Sequence, residues 1–105
     1  MARLDHVALE CADPDAVAEF LERVLGARIV RTKGHSVMAY LDQGAFALHE
    51  RGAGAGFHVG IRVSDDERAA IAERVEGRER DHGLAIGLFF DDPEGHTLEA
   101  ITYRG

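Results

Sequence analysis

The chain has 105 residues, 46% of them hydrophobic and 30% charged, which corresponds to one globular domain with a single core. The net charge of −7 argues against nucleic acid or an anionic membrane as a partner, because phosphate groups would repel the protein. The sequence has no apolar segment of signal-peptide or membrane-span length, and its single cysteine excludes an intrachain disulfide, so we expect a cytoplasmic protein.

The first half of the chain predicts a strand, a helix and three further strands. Residues 4–11 alternate between apolar and polar side chains, as a strand with one buried face does. Asp13 and Pro14 suit the start of a helix, and Gly26 suits its end. The apolar stripe of this helix consists of Val17, Phe20, Leu21 and Val24. Three short strands follow, over residues 28–31, 36–41 and 45–50.

The second half predicts a similar order of elements. A strand over residues 57–63 is followed by a helix over about 65–75, and two strands are predicted over 83–90 and 97–103. The charge run at 76–81 is most simply a solvated loop, with room for only a very short strand. The glycine-rich segment at 52–56 is a natural joint, so one domain divides into modules of about 1–51 and 57–105.

The two halves also carry a sequence repeat. Residues 5–13, DHVALECAD, match residues 57–65, FHVGIRVSD, at an offset of 52 that aligns His6 with His58. Two modules that each leave one sheet face uncovered could pair around a shared cavity. We therefore predict an α+β fold of two paired β-α-β-β-β modules that form a curved mixed sheet around a concave cavity. The glycine-rich joint permits pairing within one chain or an exchange between two chains.

Strand alternation predicts the side chains that face this cavity. If the more apolar face of each strand packs on a helix, His6, His58 and Glu99 point the other way. A second offset, of 50, aligns His49 with Glu99 and nominates His49 as a fourth ligand; a shift of one residue would nominate Glu50 instead, but strand alternation favours His49. Imidazole and carboxylate donors suit one divalent metal, such as Zn, Ni, Fe(II), Mn or Co.

Other candidate residues have simpler alternative interpretations. Glu99 is a candidate general base if it can leave the metal, and Glu10 is another, although a salt bridge with Arg62 explains Glu10 as well. Arg62 is also a candidate for binding an anionic group of the substrate. Three aromatic residues could form a substrate wall or simply pack in the core: Tyr40, Phe89 and Tyr103. His35 and His82 are interpreted as exposed turn histidines, with a supporting role at the pocket rim as the alternative.

Three segments of the sequence resemble the vicinal oxygen chelate superfamily, which includes glyoxalase I, bleomycin-resistance proteins, extradiol dioxygenases and methylmalonyl-CoA epimerase. They are LDHVALECADPDAVAEFLERVLGARIV (4–30), FHVGIRVSD (57–65) and FFDDPEGHTLEAITY (89–103), and together they cover about half of the chain. The resemblance implies paired β-α-β-β-β modules, usually a homodimer, and a divalent metal bound by His6, His58 and Glu99. In glyoxalase-like members the fourth strand supplies another ligand, typically glutamate, where this chain has His49.

Two classes of function are consistent with these features. The first is a metal-dependent enzyme whose metal binds two vicinal oxygens of a small substrate and acts as a Lewis acid in isomerase, lyase or dioxygenase chemistry. The second is a non-catalytic protein of the bleomycin-resistance type that sequesters a small molecule, for which the negative charge favours a cationic ligand. A sequestering protein does not need the histidine and glutamate ligands, and their presence favours the enzyme.

Overall fold

The computed structural model describes residues 1–52 and 56–105, so residues 53–55 of the predicted joint lie outside the described residues. Eight strands and two helices follow one another in the order β-α-β-β-β, twice. The chain divides into two compact units. We call residues His6–Phe57 the first module, and Met1–Asp5 together with His58–Gly105 the second module. No helix in the described part of the chain is long and apolar enough to cross a membrane.

The first module contains a four-stranded mixed sheet and one helix. Its elements are β1 (Arg3–Cys11, of which the first three residues belong to the second module), α1 (Pro14–Leu25), β2 (Arg28–Val30), β3 (Val37–Tyr40) and β4 (Ala45–Glu50). The strand order is β2-β3-β4-β1. Strands β1 and β4 run parallel, whereas the other neighbours are antiparallel.

Helix α1 begins and ends where its capping residues predict. The Asp13 side chain accepts a hydrogen bond from the backbone N–H of Ala16 at 3.1 Å, and Pro14 occupies the first helical position. Gly26 adopts the left-handed conformation, with φ of 70°, and its N–H bonds to the Glu22 carbonyl. Both ends of the helix therefore have partners for their backbone groups.

The predicted apolar stripe of α1 is only partly buried. Leu21 is buried together with Ala18, whereas Phe20 and Val24 are 51% and 55% exposed. The small Ala18 side chain has no accessible surface and packs in the core between the helix and the sheet. The core of the first module consists of Cys11, Ala18, Leu21, Ala27, Ala39 and Leu48. Burial in this core raises the pKa of the Cys11 thiol.

The second module repeats this topology. Its remaining elements are β5 (His58–Arg62), α2 (Asp65–Ala72), β6 (Arg78–Asp81), β7 (Ala85–Asp91) and β8 (Thr97–Tyr103). The strand order is β5-β8-β7-β6, with β5 parallel to β8 and the other neighbours antiparallel. The core contains Val63, Leu88 and Ala100. The predicted α+β fold of two β-α-β-β-β modules with mixed strand pairing is confirmed.

Two elements of the second module differ from the prediction. Helix α2 ends at Ala72, three residues before the predicted end, although its start is well defined by a capping box between Ser64 and Glu67. Residues Arg78–Asp81, which we interpreted as a solvated loop, form strand β6. All four of its residues are exposed, and the strand is held by its antiparallel pairing with β7.

Candidate metal centre

In the first module, His6 lies on the face of the sheet that does not pack against α1. Leu9 and Cys11 contact the core beside the helix, so strand alternation turns His6 and Ala8 to the opposite face. His6 is only 8% exposed. On this face Ala8 pairs with Ala47 of β4. Small neighbouring side chains therefore leave space near the buried imidazole.

In the second module, His58 and Glu99 lie on one face of the sheet. The register pairs Gly60 of β5 with Glu99 of β8, while Val63 and Ala100 point to the core beside α2. His58 is 7% exposed and Glu99 only 2%. The Nε2 atom of His58 lies 3.3 Å from Oε1 of Glu99. A potential nitrogen ligand and a potential oxygen ligand thus meet in the interior.

The distance between these two atoms fits two ligands of one metal ion. For metal–nitrogen and metal–oxygen bonds of about 2.0–2.2 Å at a tetrahedral angle, the two ligand atoms lie about 3.4 Å apart. A carboxylate as deeply buried as that of Glu99 is also unfavourable unless a cation or hydrogen bonds compensate its charge. The donor chemistry and the spacing therefore both suit a divalent metal.

Two further residues of the second module contact this pair. Nε2 of His82 lies 2.8 Å from Oε2 of Glu99, and the His82 side chain is 32% exposed. The Phe89 ring stands edge-on to both imidazoles, with centroids 5.1 Å from that of His58 and 6.0 Å from that of His82. The interpretation of His82 as an exposed turn histidine was wrong. Phe89, a predicted wall residue, lies beside the histidine–glutamate pair.

Gly87 also belongs to this site, although the sequence analysis did not identify it. A Cβ atom at this position would lie 2.0 Å from Oε2 of Glu99, so the carboxylate rests directly against the backbone of β7. The two-residue period of β7 places Gly87 on the same face as Phe89, and this was an available signal. His82 had no comparable signal, because it follows β6, a strand without apolar alternation.

The registers of the two sheets do not support His49 as the counterpart of Glu99. Gly60 pairs with Glu99 in the second module, and its repeat partner Ala8 pairs with Ala47 in the first. The counterpart of Glu99 is therefore Ala47, and His49 lies two residues further along β4. We leave His49 out of the candidate ligand set for this reason.

His49 and Glu10 lie instead near one end of the first module's sheet. They are paired across β1 and β4, four residues from His6 along β1, which corresponds to about 13 Å. Oε2 of Glu10 accepts a hydrogen bond from the backbone N–H of Gly52 at 3.3 Å. His49 lines a cavity of about 370 Å³, and His35 forms another part of its wall. Within the first module, the structure therefore separates Glu10 and His49 from His6.

The other predicted pocket residues form two arginine–tyrosine pairs. The guanidinium of Arg62 lies 4.5 Å from the ring centroid of Tyr103, which shares its face of β8 with Glu99 by strand alternation. In the first module, Arg28 lies 4.8 Å from the ring centroid of Tyr40. The contribution of these residues to substrate binding stays a prediction.

Comparison with known protein families identifies this architecture. The family model of the glyoxalase-like domain matches residues 6–101. The chain belongs to the glyoxalase-like domain family. Its resemblance to the vicinal oxygen chelate superfamily is thereby confirmed. A search of curated proteins found no match.

Several solved structures share the fold of this glyoxalase-like protein. A glyoxalase/bleomycin resistance protein/dioxygenase superfamily member from Vibrio splendidus has a TM-score of 0.67 at 18% identity, covering 99% of this chain and 100% of that one. A methylmalonyl-CoA epimerase from Streptomyces coelicolor has a TM-score of 0.71 at 21% identity, covering 98% of each chain. A catechol 2,3-dioxygenase has a TM-score of 0.76 at 17% identity, covering 95% of this chain but 39% of that one. These similarities show a shared fold, so the chemistry must be argued from this chain's own residues.

Proposed function

We propose that this glyoxalase-like protein is a metal-dependent enzyme in which His6, His58 and Glu99 bind one divalent metal. The observation that carries the proposal is the 3.3 Å approach of buried His58 Nε2 to Glu99 Oε1. His6 is included because it is buried and occupies the repeat position of His58. The metal would supply Lewis-acid chemistry to two vicinal oxygens of a substrate.

Among the reactions of metal-dependent enzymes, the set of ligands favours a reaction with O₂. Two imidazoles and one carboxylate are the ligand set of non-haem ferrous oxygenases. Ala47 occupies the position in the first module that corresponds to Glu99, and an alanine cannot supply a fourth ligand. We therefore propose ferrous iron as the metal, an aromatic vicinal diol as the substrate class and O₂ as the co-reactant. Isomerisation and epimerisation are the alternatives.

Residues of the second module suit the binding of such a substrate. Gly60 has no side chain that would cover its pairing partner Glu99. Phe89 packs edge-on against His58, and this contact restricts the orientation of the imidazole. Arg62 lies on the same strand face as His58 and would bind an anionic substituent of the substrate. Arg62 also stacks on Tyr103, which already restricts the guanidinium. Binding a substrate would therefore cost less conformational entropy.

Metal content tests the proposal directly. Protein purified without a chelator or a histidine tag is analysed by mass spectrometry of its metals, together with His6→Ala, His58→Ala and His96→Ala. His96 is the matched control, because it also pairs with a carboxylate, with Nδ1 2.7 Å from Oδ2 of Asp92, but on the surface. We expect near-stoichiometric metal in the wild type and the control, and its loss in both site variants.

The identity of the metal then directs the activity assays. Bound iron, together with O₂ uptake in the presence of catechols, supports the dioxygenase proposal. Bound nickel or zinc, with turnover of a 2-oxoaldehyde–thiol adduct or epimerisation of a 2-methylmalonyl thioester, would replace it with isomerase chemistry. A wild type that stays empty after addition of Fe(II), Ni, Zn, Mn and Co refutes the metal site. Calorimetric titration with cationic small molecules would then test sequestration.

A further inference from the structure

We infer that His82 is a positioning residue that holds Oε2 of Glu99 by a hydrogen bond, so that Glu99 presents a single oxygen, Oε1, to a metal. This inference rests on the proposed metal site. It concerns a different atom of Glu99, however, and a histidine outside the proposed ligand set.

The two oxygens of Glu99 lie beside different imidazoles. Oε1 lies 3.3 Å from Nε2 of His58, and Oε2 lies 2.8 Å from Nε2 of His82. A nitrogen–oxygen distance of 2.8 Å is typical of a strong hydrogen bond to a carboxylate. When His82 donates a hydrogen bond from its Nε2–H group to Oε2, that oxygen is directed away from a metal. Glu99 would then bind through Oε1 alone.

Gly87 restricts the carboxylate on the side of strand β7. A Cβ atom there would lie 2.0 Å from Oε2 and 2.8 Å from Cδ of Glu99, so the carboxylate fills the space that a side chain would need. Backbone behind the carboxylate and an imidazole beside it leave Glu99 little freedom to rotate. The same contact explains why a glycine rather than an alanine suits this position.

The turn that carries His82 is held on both sides. The backbone N–H of His82 donates to the Ala85 carbonyl at 2.8 Å, and the N–H of Gly83 donates to Oδ1 of Asp81 at 2.8 Å. Arg104, near the end of the chain, donates from Nη2 to Oδ2 of Asp81 at 2.8 Å and from Nη1 to the Gly83 carbonyl at 2.9 Å. The imidazole of His82 therefore projects from a turn that is already ordered.

The imidazole of His82 is more exposed than the carboxylate that it contacts. The His82 side chain is 32% exposed, whereas that of Glu99 is 2% exposed, so the imidazole reaches solvent while it contacts the buried carboxylate. Hydrogen bonds to metal-binding side chains typically change metal affinity or activity about 10- to 100-fold. We expect a change of that size when His82 is lost, together with a change of the Glu99 carboxylate from one ligating oxygen to two.

The test is a titration of the metal-free protein with Co²⁺, followed by visible absorption. His82→Ala should weaken Co²⁺ binding about 10- to 100-fold and reduce the intensity of the d–d bands, because a second oxygen of Glu99 raises the coordination number. His82→Gln keeps an N–H donor at a similar reach and should recover much of the affinity and the wild-type spectrum. The control His96→Ala should leave both unchanged.

The outcomes separate this inference from the proposed function. If the wild type and His82→Ala bind Co²⁺ with the same affinity and spectrum, the positioning role is refuted while the metal site stands. If the wild type binds no Co²⁺, the metal site fails, and the positioning role fails with it. If His82→Ala does not fold, ¹⁵N NMR of the wild type decides the question. A His82 ring protonated at Nε2 supports the hydrogen bond, and a ring protonated only at Nδ1 overturns it.

Discussion

Replacing Gly87 with alanine tests how tightly the structure holds the carboxylate of Glu99. The new Cβ would lie 2.0 Å from Oε2 and 3.0 Å from Cγ of Glu99. To restore an ordinary contact of 3.4 Å, the carboxylate has to retreat by about 1.4 Å. A displacement of that size is enough to break the hydrogen bond to His82, which is 2.8 Å long in the structure.

The expected loss of stability follows from three contributions. Losing a hydrogen bond to a charged group costs about 1.5–3 kcal/mol. Moving the Glu99 side chain away from its preferred rotamer adds about 0.5–1.5 kcal/mol. Alanine offsets part of this, about 0.4–1 kcal/mol, because it restricts the unfolded chain more than glycine does. For Gly87→Ala we therefore expect the free energy of unfolding to fall by about 1–4 kcal/mol.

Urea denaturation of the metal-free protein measures this change, and a double-mutant cycle assigns it to Glu99. In a Glu99→Ala background the new Cβ meets no carboxylate, so Gly87→Ala should be neutral or stabilise the protein by up to about 1 kcal/mol. An equal cost in both backgrounds would show that the strain lies elsewhere in β7. No cost in the wild-type background would show that the carboxylate is free to move and that Gly87 does not restrict it.

Three further predictions concern stability and the extent of the site. Leu48→Ala, at a position with 1% exposure, should lower the free energy of unfolding in urea by about 2–5 kcal/mol, and a smaller loss would contradict its central place in the core. Hydrogen bonds from Arg104 hold the pKa of Asp81 below its ordinary value of 3.8. The stability advantage of the wild type over Asp81→Asn should therefore be complete above about pH 5 and shrink as the pH falls below about 4; an advantage independent of pH would contradict this. His49→Ala should retain the metal content of the wild type, and loss of metal would return His49 to the ligand set.

Local patterns predicted those parts of the fold that depend on local interactions. The bounds of β4 and β8 agree with the prediction, and α1 follows from its capping residues. For β6 the sequence left room for only a very short strand and favoured a loop, because all four of its residues are charged and show no apolar period. Strand β6 forms through its antiparallel ladder with the next strand, β7, and side-chain alternation within β6 does not report that pairing.

The ligand positions of the candidate site follow from the sequence repeat when one offset, 52, is used throughout the chain. The offset of 52 that aligns His6 with His58 also relates Ala47 to Glu99, in agreement with the registers of the two sheets. The offset of 50, which nominated His49, aligned Asp42 with Asp92 and Leu48 with Leu98. A change of two residues keeps the same strand face, so side-chain alternation does not distinguish the two offsets. Only the pairing register separates the two alignments.

The repeat therefore conserves the topology of the modules but not their chemistry. The first module offers the buried His6 on a face with small alanine neighbours. The second module offers a histidine and a carboxylate, and it also contains the residues that restrain this carboxylate, His82 and Gly87. This restraint requires the turn before β7, which carries His82, and a glycine inside β7, which is Gly87. The sequence repeat aligns neither feature with an equivalent one in the first module. Because a fixed carboxylate controls the number of oxygens that a metal receives, we expect substitutions in the second module to change metal preference as well as affinity.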